Sequence, residues 1–479
     1  MLINIKDKIK RIPKPLMSSI IYMIVVFFQS GVNLITTPIF SRLLSTADYG
    51  ITSTYQSWYN IFTIFITLNL SAGVYNNALI DFEKESDKIS SSFLSISMFL
   101  SAFYFGVYIF FKEKIQELLG ISNELIVFMF VNLLSAPAWN LFLVREKFDY
   151  KFLKPLLITM VTFILNPIIG ILGINLFPNN KAVAKVIFSG LPTVFANIIL
   201  LFIILKKGKC FFNKKYWKYA LKFNIPLIPH YLSNVILAQS DRIMIQKMIG
   251  DSAAGIYGVS YNLSQVVQGV FVGINSAWIP FTYKSLRDKK YQKVGQYSNL
   301  LLIFVGVVSI LLNLCAPEII KILAPKEYYS AVWVIPPIVL GLYFSFLASL
   351  FGNIEFYYKK NIFVTIATSC AAILNIILNA IFIPRYGFIA AGYTTAVGYF
   401  ILVIAHYIFM SKIQPEKIYD SKMLVIITSI VVILTFAIIF LYNYIIIRYA
   451  LIFLVFIISL LNIKKIIKYL KKKKELIDG

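Results

Sequence analysis

The sequence predicts an all-α polytopic membrane protein. About 14 transmembrane helices form two six-helix lobes related by a pseudo-two-fold along the membrane normal, plus a two-helix C-terminal extension. Three observations lead there. First, 59% of the 479 residues are hydrophobic, only 14% are charged and the mean hydropathy is +0.78; soluble domains carry roughly 25% charged residues. Second, apolar runs of about 20 residues, long enough to cross a bilayer, recur along the whole chain. Third, parts of the chain repeat after 205 to 209 residues.

The runs are 17–40, 51–72, 90–111, 123–143, 154–176, 182–205, 226–249, 255–279, 297–316, 331–352, 362–383, 388–410, 422–442 and 445–463. Pro13, Pro15, Pro155, Pro226 and Pro384 mark several of their ends. The basic start (MLINIKDKIKRIPKP) precedes a run too long for a signal-peptide core, so it reads as an uncleaved first helix. With the N-terminus inside, 35 of the 46 Lys and Arg fall in inside segments, 10 fall outside and Arg242 lies within the membrane. Basic residues accumulate in cytoplasmic loops, so both termini are expected in the cytoplasm. Segment 81–88 (DFEKESDK) is net acidic, but the rule counts only Lys and Arg. The same bias accounts for the net charge of +25 without nucleic acid. The tail KKIIKYLKKKK (464–474) fits attraction to anionic lipid.

The repeat has two registers. LLSTADYGI (43–51) matches MIGDSAAGI (248–256) at offset 205, and REKFDYKF (145–152) matches IEFYYKKN (354–361) at offset 209. Ile164-Leu165-Asn166 then aligns with Ile373-Leu374-Asn375. Six helices return the chain to the same side, so the halves are parallel repeats around a central cavity. The expected divisions are 1–210 for the first lobe, 211–415 for the second and 416–479 for the last two helices with the tail.

The most informative run is 226–249. Asp241 and Arg242 sit about one turn past its middle, where charges facing lipid cost several kcal/mol. They are expected to face protein or a wet cavity. On a helical wheel His230, Asn234 and Asp241 cluster within about 40°, while Gln239, Arg242 and Gln246 form a second stripe. Their first-lobe counterparts in the 205 register are Thr36 and Thr37, so the charge is asymmetric. Cys210, Cys315 and Cys370 are scattered without a metal or disulfide pattern. There is no Gly-rich phosphate loop and no nucleophile with a base at motif spacing, so the chain is not read as an enzyme. The expected metal and cofactor content is none. Large outside loops of the kind a polysaccharide polymerase or ligase would need are lacking.

Several of these residues carry a resemblance. Pro38, Ser41-Arg42-Leu43, Tyr49-Gly50, Asp241-Arg242, Gly250, Ala254-Gly255-Ile256-Tyr257 and Gly392-Tyr393-Thr394-Thr395 make the chain similar to the multidrug/oligosaccharidyl-lipid/polysaccharide (MOP) exporter superfamily. Within it, the chain looks most like the Wzx-type flippases of the polysaccharide biosynthesis protein family. That resemblance implies export of undecaprenyl-diphosphate-linked oligosaccharide, for O-antigen (lipopolysaccharide) or capsule, across a bacterial cytoplasmic (inner) membrane. Membrane lipids and polysaccharide polymerase machinery are the other implied partners. The second reading is a MATE-like cation-coupled drug antiporter. Such antiporters usually carry an acidic residue in the first helix, and 17–40 has none. The lipid II flippases typically have several arginines in the first two helices, where here Arg42 is alone.

Flipping such a lipid needs cations in a wet cavity, polar and aromatic walls for sugars and an apolar side opening. Arg242 is the first candidate for the anion. Asp241 either couples transport to H⁺ or Na⁺ or neutralises a nearby base. Asn234, His230, Arg42, Asn33, Lys247 and Lys185 are further cavity candidates. For Arg42 and Lys247 the alternative is complementing helix C-terminal dipoles; for Lys185 it is snorkelling. Glu146 and Glu355 stand at equivalent hairpin tips and are candidates for an inner gate or for structural ion pairs. His406 reads as structural.

Overall fold

A computed structural model describes residues 14–414, 416–455 and 457. The basic N-terminus, Pro13 and the tail 464–474 lie outside the described residues. In chain order the long helices are α1 (Lys14–Leu43), α2 (Thr46–Thr67), α4 (Ser86–Phe110), α6 (Asn123–Phe148), α7 (Leu153–Leu176), α8 (Lys181–Gly208), α10 (Ile228–Met248), α11 (Asp251–Arg287), α12 (Tyr291–Leu323), α13 (Ile335–Tyr357), α14 (Asn361–Tyr386), α15 (Ile389–Ile413) and α16 (Ser421–Phe440). The helix Ile445–Val455, α17, starts where the fourteenth run was expected. Among the described residues no strand occurs, and nine helices are long and apolar enough to cross a membrane. Helices α2, α10 and α11 are not among those nine. They carry the polar residues that face the lobe seam and the cavity between the lobes.

Three short helices were not anticipated: α3 (Val74–Asp81), α5 (Lys112–Leu119) and α9 (Lys214–Asn224). Helix α9 joins the lobes. Its Tyr216 hydroxyl donates to Glu85 at 2.6 Å, and its Tyr219 hydroxyl donates to Asp81. Burial, with Glu85 beside it, pushes the Tyr216 phenol up to about 12, so it remains a donor at neutral pH. Pro384 proves to lie inside the last turn of α14 rather than beyond it.

The repeat is present in the backbone. Helices α2 and α11 start 205 residues apart, as do α4 and α12; α7 and α14 start 208 apart, as do α8 and α15. The hairpins after α6 and α13 match in detail. Tyr150 and Lys359 both adopt left-handed φ, 54° and 58°. Lys151 N donates to Glu146 O at 2.8 Å, and Lys360 N donates to Glu355 O at 2.9 Å.

The lobes meet along α2, α10 and α11. At the predicted outer end the first turns of α2 and α11 touch through glycines. A Cβ at Gly50 would overlap the Asp251 carbonyl, and one at Gly255 would overlap the Thr46 carbonyl. Thr46 Oγ1 and Ser252 Oγ lie 3.1 Å apart in the same seam. Gly250, at φ +126°, makes the break between α10 and α11 that only glycine adopts without strain. Ser41 Oγ donates to Leu323 O at 2.8 Å and Tyr328 OH donates to Ser45 O at 3.2 Å, which closes this end further. Replacing Gly255 by Val forces two backbones apart, and overpacking of this kind costs about 1–3 kcal/mol. Thermal unfolding of the purified variant in detergent should show a lower midpoint. A wild-type midpoint would mean that the seam tolerates a side chain.

Arg448, near the start of α17, is 1% exposed. Its two terminal nitrogens donate to both Glu318 oxygens at 2.6 Å, and one also donates to Leu314 O at 2.9 Å. This pair fastens the C-terminal helices to α12.

Candidate functional site

Between the lobes lies a cavity of about 640 Å³. Its walls come from α1, α2, α6, α7 and α8, with α10 and α11 contributing from the second lobe. Among the described residues its charged lining consists of Lys185 and Arg242, without a carboxylate. The remaining polar lining is rich in amides, including Asn33, Gln56, Asn132, Asn140, Asn197 and Gln265, with Trp139 and several tyrosines among them. Asn33 was expected here; Gln56, Asn132, Asn140, Asn197 and Gln265 are what sequence reading missed, and only the fold shows that they converge.

Arg242 is 5% exposed. Its guanidinium lies 3.8 Å from the centre of the Tyr261 ring, a close cation–π contact. One terminal nitrogen donates to Gln239 and to Ser57 Oγ of α2, the latter at 3.4 Å. Its Nε has no protein acceptor. The stacked ring and the Gln239 carbonyl hold the side chain toward the cavity with donor capacity to spare. Lys185 Nζ lies 5.4 Å from the centre of the Phe40 ring, on the same cavity. Asn33 also lines it.

Asp241 faces the other way. Successive residues on a helix point about 100° apart, so while Arg242 meets α2, Asp241 enters the core of the second lobe, 1% exposed. It accepts from Tyr257 OH, from Asn379 Nδ2 at 2.7 Å and from Thr395 Oγ1 at 2.6 Å. A second layer surrounds these donors. Thr394 donates to Asn379, and Asn375 donates to Thr395 at 3.1 Å. Asp241 therefore does not line the cavity, and it does not hydrogen-bond Arg242 in this arrangement. Tyr257, Thr394 and Thr395 stood in the sequence motifs without an assigned task. Asn379, one turn after Asn375, is the residue that could have been found, as a second amide on the same face of an apolar helix.

The remaining candidates are not brought to the cavity. His230 and Asn234 lie one turn apart near the predicted inner end. Asn234 Nδ2 donates to His230 O at 3.1 Å, and the His230 ring lies 3.2 Å from Thr368 Oγ1. Arg42 is exposed and donates to Pro38 O at 2.8 Å and Ile322 O at 2.9 Å, capping carbonyls at the ends of two helices. Lys247 is exposed in the last turn of α10. Glu146 stands with Arg145 and Lys154 on a separate, mostly apolar cleft of about 620 Å³. Glu355 is not a loop residue; it is fully buried in α13 and its Oε1 lies 2.9 Å from His406 Nδ1. The two glutamates share a place in the repeat and differ in environment.

A two-lobed helical bundle of this kind, with a polar cavity at the lobe interface, is the fold of MOP-superfamily membrane transporters and flippases. The family model described as polysaccharide biosynthesis protein matches residues 16–286, and the chain belongs to that family. The MatE family model matches residues 226–381. Lsg locus protein 1 of Haemophilus influenzae is 22% identical over 76% of this chain and 89% of its own length. An uncharacterised membrane protein of Methanocaldococcus jannaschii is 26% identical over 54% of each chain. Among solved structures, the lipid II flippase MurJ in an inward closed conformation superposes with a TM-score of 0.71 at 19% identity, covering 94% of this chain and 100% of its own. An inward-facing multidrug resistance MATE family transporter gives 0.65 at 12% identity over 82% and 97%. At these identities the structural likeness establishes the fold, an all-helical, multi-pass membrane bundle.

Proposed function

We propose that this chain flips undecaprenyl-diphosphate-linked oligosaccharide repeat units from the cytoplasmic to the outer leaflet of a bacterial inner membrane, with both termini in the cytoplasm. The observation that carries the reading is the cavity lining: Lys185 and Arg242, no carboxylate, and walls of amides and aromatic rings. Cations in a low-dielectric site hold an anionic headgroup. Amides and rings hydrogen-bond and stack against sugars. An organic cation would meet like charge in the same cavity, which speaks against a drug antiporter. The family's role in polysaccharide biosynthesis fits this cargo. Transport proceeds by alternating access. The lobes rock against each other, so opening the end closed by the glycine seam requires α2 and α11 to separate. Buried Asp241, held by the Tyr257 and Thr395 hydroxyls and the Asn379 amide, is the proposed coupling site for H⁺ or Na⁺.

The test is a deletion strain. It should accumulate undecaprenyl-linked oligosaccharide on the cytoplasmic side and lose surface polysaccharide, with both restored by the wild-type gene. A strain that shows only altered dye efflux, with normal carrier-linked sugar, would refute the flippase reading.

A further inference from the structure

Away from the lobe interface, the first lobe holds the cleft of about 620 Å³ between α6, α7 and α8. Its shape follows from how α7 packs on α8. Near the predicted outer end the two helices touch: a Cβ at Gly170 would overlap Ser189 Oγ, and one at Gly173 would overlap the Phe188 ring. Toward the predicted inner end the cleft opens between them. From Lys207 at its mouth to Ala196 at its top it follows α8 for eleven residues, about 16 Å of helix rise. The hydrocarbon of one leaflet is about 15 Å thick. Leu157, Ile199 and Ile203 line the shaft and are 60%, 45% and 43% exposed, so it opens sideways toward the bilayer. Charge is confined to the mouth, where Arg145, Lys151, Lys154 and Lys207 stand with Glu146 and Asp149. Arg145 is paired with Asp87, and Lys151 with Asp149 at 2.6 Å. Among the described residues Lys154 and Lys207 have no protein partner.

The second lobe fills the equivalent place with its own side chains. In the 209 register Lys154 corresponds to Phe363 and Glu146 to Glu355. Phe363 of α14 stacks on Phe409 of α15 at 5.0 Å and bridges the two helices, while Glu355 is fully buried against His406. The first lobe has a lysine and an open cleft instead. The geometry points to a binding site for one anionic phospholipid of the inner leaflet, with its phosphate on Lys154 and Lys207 and an acyl chain along the shaft. Cations at headgroup depth beside an apolar slot one leaflet deep are the complement of such a lipid. A soluble anion leaves the slot empty, and a neutral lipid leaves the two lysines unpaired. Glu146 adds an acceptor at the same level, which suits the headgroup hydroxyls of phosphatidylglycerol. The cleft is separate from the cavity between the lobes, so this lipid is a resident of the first lobe rather than cargo.

The experiment is native mass spectrometry of the full-length protein in detergent, titrated with phosphatidylglycerol or with phosphatidylcholine of the same chain length. The first phosphatidylglycerol should bind about thirtyfold more tightly than phosphatidylcholine, the effect of two lysines beside an anionic lipid. Lys154→Gln combined with Lys207→Gln should abolish that preference; both side chains are exposed, so folding is spared. Ile203→Trp, which narrows the shaft and leaves its charge alone, should weaken both lipids about tenfold, the effect of displacing two buried methylenes. Lys214→Gln combined with Lys218→Gln on α9, outside the cleft, should leave the preference in place. Equal wild-type affinities for the two lipids would overturn the inference. So would a preference that survives the double cleft variant, or one lost equally in the α9 variant, which is the mark of general attraction to a basic surface. Wild-type binding of both lipids by the Ile203→Trp variant would remove the acyl chain from the shaft and reject the site.

Discussion

A strain carrying Arg242→Leu should lose its surface polysaccharide while the protein stays in the membrane at wild-type amount. The guanidinium stacks on Tyr261, donates to Gln239 and Ser57 and keeps one N–H without a protein acceptor. An anionic cargo would take that donor capacity. One charge-assisted bond at about 1.5–3 kcal/mol corresponds to a loss of roughly ten- to 160-fold in flipping rate. Folding should suffer little, because the groups released, Gln239 and Ser57, hydrogen-bond each other at 3.2 Å. Arg242→Lys should fall in between: it keeps the charge, but it loses the planar fork and the stacking. The measurements are surface polysaccharide by gel and flipping in proteoliposomes. Normal polysaccharide in the Leu strain would remove Arg242 from the transport machinery.

The second large effect is expected at Asp241. Asp241→Leu leaves the Tyr257, Asn379 and Thr395 donors facing apolar atoms in a buried site. Each orphaned donor costs about 1–3 kcal/mol, enough together to deplete folded protein. Asp241→Asn is the informative substitution. It preserves volume and one acceptor, so the variant should fold, but it removes the negative charge that a cation would need. Wild-type flipping should respond to an imposed Na⁺ or pH gradient, and the Asn variant should not. A variant as gradient-sensitive as the wild type, or a wild type indifferent to both gradients, would end the coupling proposal.

The helices were legible because a bilayer-crossing segment must be apolar for about 20 residues, and that requirement is written directly into composition. The repeat was legible because two short matches held nearly one offset, and the backbone keeps that offset even in the left-handed residues Tyr150 and Lys359. Helices α3, α5 and α9 were not, since eight to eleven mixed residues leave no comparable signature. For the site, the charges of α10 correctly demanded a protein surround. The direction each one faced depended on its neighbours: α2 beside Arg242, α14 and α15 beside Asp241. Arg42 shows the same dependence. Nothing local reveals that the carbonyl end of α12 lies within its reach. The ion pair of Arg448 was not legible because its partner, Glu318, is 130 residues earlier in the chain.

The Gly50–Gly255 contact has a consequence for how such a chain arises. The two glycines are equivalent positions 205 residues apart, and each leans on the other's helix. Only on a two-fold axis does a surface meet its own counterpart, which is the defining geometry of an isologous homodimer contact. The seam thus has the geometry of a dimer interface between two like halves, with α9 as the tether that joins them in one polypeptide. The charged segment of α10 marks one place where the halves differ: an exact two-fold would present the same residues twice, and this chain has Thr36 and Thr37 on one side and Asp241 and Arg242 on the other. Joining the halves in one chain lets Arg242 stand without an identical charge facing it across the axis.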